Sequence, residues 1–190
     1  MNNIIANMRR DWPRMPDAAL LRLAEKLEPV RIRRRQLLIE ADKRCPWAYF
    51  IETGVTRSYW LVDGQEITTS FSIEGSIVFS MDELYYDRPS EEFVEALEDA
   101  EGFKIRVDDL RELFATDLDL ANWGRVIHQN EYRRLHRSHK ERLTLPAAER
   151  YEAFRHQFPE VCRRVKLGYI ASYLGITLPT LSRLRRKSRI

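Results

Sequence analysis

Leu167-Gly-Tyr-Ile-Ala-Ser-Tyr-Leu-Gly-Ile-Thr-Leu-Pro-Thr-Leu-Ser-Arg-Leu-Arg-Arg-Lys, residues 167 to 187, reads as two short helices separated by a turn. Ile170 and Leu174 form an i, i+4 apolar pair on the first helix, and Ala171 supplies the small side chain needed where two helices cross closely. Gly175 makes the turn, Ile176 fills the corner, and Leu181 and Leu184 face inward from the second helix at i, i+3. Thr177 is a natural N-cap, and Pro179 falls in the first turn, where its missing N–H does no harm. Thr177, Leu178, Thr180, Ser182, Arg183, Arg185, Arg186 and Lys187 are left on the outer face or flank, so these are the candidate DNA contacts. A second helix displayed this way fits the major groove, its first residues reading base edges and its basic ones gripping phosphate. Arg183 is the candidate for a bidentate contact to guanine. Leu178-Pro179 is an unusual start for such a helix, since polar or charged residues more often read bases there. Direct readout then falls to Thr180, Ser182 and Arg183, helped by DNA shape.

The charge around this segment supports the same reading. From Gly124 to Ile190 there are 16 Lys/Arg and 5 Asp/Glu, whereas the preceding residues hold 16 basic and 24 acidic side chains, so a net charge of +3 conceals two opposite halves. Arg163 to Ile190 carries eight basic residues and no carboxylate, the footprint of a surface that neutralises phosphates. A solvated basic tail is the plainer explanation of a charge run, but regularly spaced apolar residues interleave this one.

Other classes find little footing. At 190 residues and 44% apolar content the chain can build one or two real cores. No run approaches the roughly 18 apolar residues of a membrane span, and the N-terminus lacks the pattern of a signal peptide, so a cytoplasmic protein is expected. Cys45 and Cys162 stand far apart without a CxxC partner, which gives no disulfide framework or metal knuckle. His136 and His139 lie i, i+3, but without a third ligand a solvated pair is the simpler reading; no metal and no cofactor is expected. The carboxylates between Glu91 and Glu101 read as a solvated acidic face, and no catalytic motif accompanies them, so the chain is not expected to be an enzyme.

Upstream, Pro16 starts a short amphipathic helix carrying Leu20, Leu21, Leu23, Ala24 and Leu27, which Pro29 stops. From Val30 to about Val107 the pattern is that of strands: Val30 to Ile39, Trp47 to Glu52, Val55 to Val62, Glu66 to Ile73, Phe93 to Glu98 and Gly102 to Val107. Asp63-Gly64 predicts a tight hairpin. Short strands at this density predict an antiparallel barrel or jelly roll. Asp108 and Asp109 stand where a carboxylate caps a helix carrying Leu110, Leu113 and Phe114. A longer polar helix from about Leu118 to Arg142 either pairs with its copy or lies against its own barrel. Leu145 to Pro159 reads as a linker residue and a helix, with Pro146 in its first turn and Pro159 after its end. The fold expected is α+β: a β-roll sensor domain over 1–116, a connecting dimerisation helix over 117–144, and a helix-turn-helix domain over 145–190.

Tyr49-Phe-Ile-Glu-Thr-Gly-Val-Thr-Arg-Ser-Tyr, Asp63-Gly-Gln-Glu and Phe71-Ser-Ile-Glu-Gly resemble the β-roll of the Crp/Fnr family of transcription regulators, and Ile170-Ala-Ser-Tyr-Leu-Gly-Ile with Leu181-Ser-Arg resembles that family's DNA-binding signature. The resemblance implies a homodimer on a two-fold-symmetric double-stranded DNA site, with RNA polymerase as a further partner. It also implies an effector pocket at Gly75, Ser76, Arg88, Ser90 and Glu91, and there the pattern departs. Nucleotide-binding relatives carry Gly-Glu for the ribose and Arg-Ser-Ala for the cyclic phosphate, whereas here Ser76 follows Gly75 and Ser90-Glu-Glu stands in the phosphate position. Glu91 and Glu92 would repel a phosphate, and Arg88 compensates only in a different loop register. No response to cAMP or cGMP is expected, and the effector stays unassigned. The competing reading is an effector-binding or protein-interaction module whose helix-turn-helix has lost its affinity for DNA.

Overall fold

The computed structural model describes residues 1–187. The chain divides into two compact units: Met1–Ser58 with Phe71–Asn130, and Tyr59–Ser70 with the residues from Glu131 onward.

The strands are antiparallel and form two four-stranded sheets. One runs in the order β1 (Glu28–Ile32), β8 (Ala100–Arg106), β3 (Trp47–Thr53), β6 (Ile77–Val78). The other runs β2 (Leu37–Ile39), β7 (Phe93–Ala96), β4 (Thr56–Val62), β5 (Gln65–Ser72). Ile32, Leu38, Ile39, Ile51, Val78, Val94 and Ala96, drawn from both sheets, form one buried cluster. The hairpin expected at Asp63-Gly64 is present, with φ of 50° and 75°, a pair that the twist of the flanking strands favours. β8 pairs with β3, and at Gly102, opposite a register shift between Ile51 and Thr53, a Cβ would stand 2.0 Å from the Phe50 carbonyl oxygen.

Two local expectations are corrected. Val30 to Ile39 is not one strand: the chain turns at Arg33–Gln36, Arg33 N–H donating to Gln36 Oε1 and Arg35 adopting φ of 67°. Pro29 does not end the first expected helix, which closes by Glu25; it lies within β1, the outer strand of its sheet, the kind of strand in which proline is tolerated.

Helices cover the roll on one side. α1 (Asn2–Asp11), unanticipated from the sequence, buries Ile4 and Met8, α2 (Asp17–Glu25) buries Ala19, Leu20 and Leu23, and α3 (Met81–Tyr86) buries Leu84. With Val107, Leu110 and Leu113 of α4 (Val107–Thr116) they close over Ala48, Phe50 and Ile105. Asp108 and Asp109 do not cap α4: its N-cap is Arg106 without a side-chain bond, and the two aspartates pair instead with Arg111 and Lys26. The helix that follows, α5 (Leu118–Thr144), is 27 residues long. Its cap is Asp117, whose carboxylate accepts the N–H groups of Asp119 and Leu120 at 3.0 and 3.1 Å and binds Arg22. Leu120 and Trp123 enter the same core, Trp123 stacking on Phe50 with centroids 6.1 Å apart.

In the second unit α6 (Ala147–Gln157), α7 (Pro159–Arg164), α8 (Leu167–Leu174) and α9 (Leu178–Lys187) bury Tyr151, Phe154, Val161, Ile170, Ala171, Tyr173, Leu174 and Leu181. Pro146 caps α6 rather than lying in its first turn, and Pro159 is the first residue of α7. Three arginines satisfy groups at the C-terminal end of α8: Arg142 and Arg150 donate to the carbonyls of Tyr173 and Leu174 at 2.8 and 3.3 Å, and Arg134 donates to the Tyr173 hydroxyl at 3.2 Å. Ser172 Oγ accepts the Thr68 N–H at 2.9 Å and donates to the Glu66 carbonyl at 3.0 Å.

Candidate nucleic-acid interface

α8 ends where the sequence demands. Gly175 takes φ of 64° and ψ of 39°, and the N–H of Ile176 returns to the Ala171 carbonyl at 3.0 Å, a left-handed stop that a side chain would strain. Thr177 then caps α9, its Oγ1 accepting the Thr180 N–H at 3.4 Å. Leu181 is wholly buried, as are Ile170 and Ala171 of α8, which fixes the crossing of the two helices. Leu184 is half-buried and Ile176 likewise, so Leu181 is the anchor of α9.

The outer residues follow from that anchor. Thr177, Leu178, Arg183 and Arg186 are exposed, and Thr180, Ser182 and Arg185 are half-exposed. Thr177 Oγ1 and Thr180 Oγ1 share a hydrogen bond at 2.9 Å, and Arg183 Nη2 donates to Thr180 Oγ1 at 3.3 Å, which draws the guanidinium toward the start of the helix. One face thus carries hydroxyls, a leucine and three arginines without a carboxylate, a surface suited to phosphate and base edges. The Lys187 side chain falls outside the described residues.

The expected effector residues occupy two places. Gly75 (φ of 81°) and Ser76 form the turn before β6, where the Gly75 N–H donates to Ile51 O at 2.7 Å and a Cβ on Gly75 would stand 2.4 Å from Asn7 Nδ2. Arg88, Ser90 and Glu91 lie in the loop between α3 and β7. Ser90 is buried, bonded through its backbone to Lys43 and Asp42 and through its hydroxyl to the backbone of Glu92. Arg88 and the Glu91 N–H converge on one carboxylate: Asp82 accepts both, at 3.0 and 3.3 Å.

Asp82 escapes the sequence reading, as do three other arrangements. Glu83, 4% exposed, accepts Arg44 Nε and Nη2 at 2.7 and 2.8 Å and the Cys45 N–H at 3.1 Å. The Arg44 hydrogen bonds hold its carboxyl below the usual value of 4.5 against the opposing effect of burial. Ser80 Oγ caps α3 by accepting the Glu83 N–H at 3.2 Å, and Arg111 donates to the Leu84 carbonyl at 2.8 Å. Arg57, buried in β4, pairs with Glu95 of β7 at 2.7 Å. A lone arginine among the alternating residues of a strand is the one signal that could have disclosed it. Among the described residues no group of three or more His, Cys, Asp or Glu could hold a metal ion, and no helix is long and apolar enough to cross a membrane.

Comparison with known proteins agrees with this architecture. Residues 29–117 match the cyclic nucleotide-binding domain family. No curated protein matches at the sequence level. Among solved structures, the c-di-GMP-responsive global regulator CLP of Xanthomonas campestris superposes with a TM-score of 0.71 at 17% identity, over 92% of this chain and 92% of that one. FixK2 of Bradyrhizobium japonicum gives 0.72 at 21% identity over 85% and 83%, and a transcriptional regulator of the Crp/Fnr family from Eubacterium rectale gives 0.72 at 16% over 94% and 85%. Residues 29–117 thus resemble the cyclic nucleotide-binding domain family, and the chain shares its fold with these solved regulators, one of them described as of the Crp/Fnr family.

Proposed function

We propose that the protein is a cytoplasmic, homodimeric transcription regulator that binds double-stranded DNA through α9 and does not answer to cAMP. The observation that carries the reading is the acid-free outer face of α9, held by the buried Leu181 and carrying Arg183, Arg185 and Arg186 beside Thr177 and Thr180. In this reading residues 1–116 form the sensor, 117–144 the pairing helix and 145–190 the DNA-binding domain. Tyr132, Leu135 and Leu143, exposed along α5, are the side chains a second copy would cover, and RNA polymerase is the further partner at a promoter. The chain is a regulator and not an enzyme.

Insensitivity to cyclic nucleotides is supported by Asp82. An arginine and a backbone N–H are what a buried phosphate requires, and here both already serve an internal carboxylate. A cyclic phosphate would have to displace Asp82 and settle beside Glu91 and Glu92. Calorimetry with cAMP checks this part, and micromolar binding overturns it.

DNA binding is tested by fluorescence-anisotropy titration of the full-length protein against duplexes from its own upstream region at several salt concentrations. Arg183→Ala should cost about 1–3 kcal/mol and relax specificity, while Lys187→Ala should weaken all sequences alike and reduce the salt slope by about one. Identical behaviour of the two variants removes Arg183 from base reading. The exposed Leu178-Pro179 tip favours the one competing reading, a protein-interaction module with a degenerate helix-turn-helix; a purified protein that ignores DNA in dilute salt decides for it.

A further inference from the structure

We infer that Leu178 reads the 5-methyl group of a thymine in each half-site; the inference rests on α9 being the DNA-facing helix. Leu178 is the first residue of α9 and is 47% exposed, between the exposed Thr177 and Pro179. The tip around it is poor in available polar groups. Thr177 Oγ1 accepts the Thr180 N–H and shares a hydrogen bond with Thr180 Oγ1, which also receives Arg183. Pro179 contributes no N–H at all. The donors that would let a helix start grip a phosphate are thus largely spent or missing, and no charged or amide side chain occurs from Ile176 to Ser182.

A tip of this kind loses little hydration on close approach to a base edge, and what it offers is hydrocarbon. The thymine methyl is the apolar group that the four base pairs present in the major groove. Leu178 thus selects thymine over cytosine at one position, while the arginines one to two turns later supply the charge. Burying one methyl group against a leucine is worth roughly a fourfold change in affinity.

The test uses the full-length protein and the sites it selects from a duplex pool with randomised half-sites. Each thymine of a selected site is replaced in turn by deoxyuridine, which removes the methyl and leaves every hydrogen-bonding group in place. Binding should weaken roughly fourfold at one thymine per half-site, and the same replacement should have no effect on Leu178→Ala. Arg183→Ala, a control with reduced overall affinity, should keep the deoxyuridine penalty. Insensitivity at every thymine, or an equal penalty in Leu178→Ala, overturns the assignment while leaving DNA binding intact. Failure to select any duplex in dilute salt removes the DNA-binding reading itself, and this inference with it.

Discussion

Leu181 is expected to carry most of the energy that holds α9 in place, and its truncation gives a number to check. The side chain is fully buried, so Leu181→Ala withdraws three carbons from a closed site. At about 0.8 kcal/mol per buried methylene the transfer loss is about 2.4 kcal/mol, and the cavity left between α8 and α9 raises it to about 3 kcal/mol. Leu184, one helical turn on, is only half-buried, and the same truncation there should cost about 1 kcal/mol. Urea unfolding followed by far-ultraviolet circular dichroism gives both values from the shift in midpoint at constant slope. A Leu184→Ala variant as costly as Leu181→Ala, or a Leu181→Ala cost below about 1 kcal/mol, would mean that α9 is not anchored where the burial places it.

Two further measurements bear on the scaffold. Gly102→Ala should destabilise by about 3 kcal/mol or more, since the new Cβ meets the backbone oxygen of Phe50, whereas Gly175→Ala, with open space around it and only a left-handed backbone to maintain, should cost about 1–2 kcal/mol; thermal melts that reverse this order would contradict the close approach of β8 to β3 at Gly102. Glu83 has its pKa lowered in the folded state, so its pairing with Arg44 contributes fully above the unfolded value of 4.5 and is lost as the pH falls through the lower folded value. The wild type should therefore lose more stability than Glu83→Gln between about pH 5 and about pH 3, and urea midpoints that fall in parallel across that window would refute the pairing.

How much of this was legible in the sequence depends on how local each signal is. α8 and α9 are written within 21 residues: the small, turn and apolar positions fall at spacings that only one arrangement of two helices satisfies, and Gly175 and Leu181 occupy the places those spacings require. The Asp63-Gly64 hairpin is equally local. α3 and α7, six residues each, are too short to show a helical period, and α1 gives only Ile4 and Met8 as its buried pair. The polar arrangements are the least legible because their partners are remote in the chain. Arg44 finds Glu83 39 residues away and Ser172 finds Glu66 106 residues away, and no window reveals such pairs. Arg88 and the Glu91 N–H are held by a carboxylate that belongs to a short helix which the sequence pattern did not disclose.

The Ser172 hydroxyl has a consequence beyond its two hydrogen bonds. β5 is the last strand in the order of its sheet, and the Glu66 carbonyl and Thr68 N–H, two residues apart, point the same way along it. Such a row of open backbone groups is a template on which a foreign or misfolded chain can continue the ladder. A single side chain that donates to one group and accepts from the other imitates one rung of the missing neighbour. The hydroxyl therefore acts as a guard against templated growth of the sheet, at a position where proteins more often rely on a lysine, a proline or a bulge.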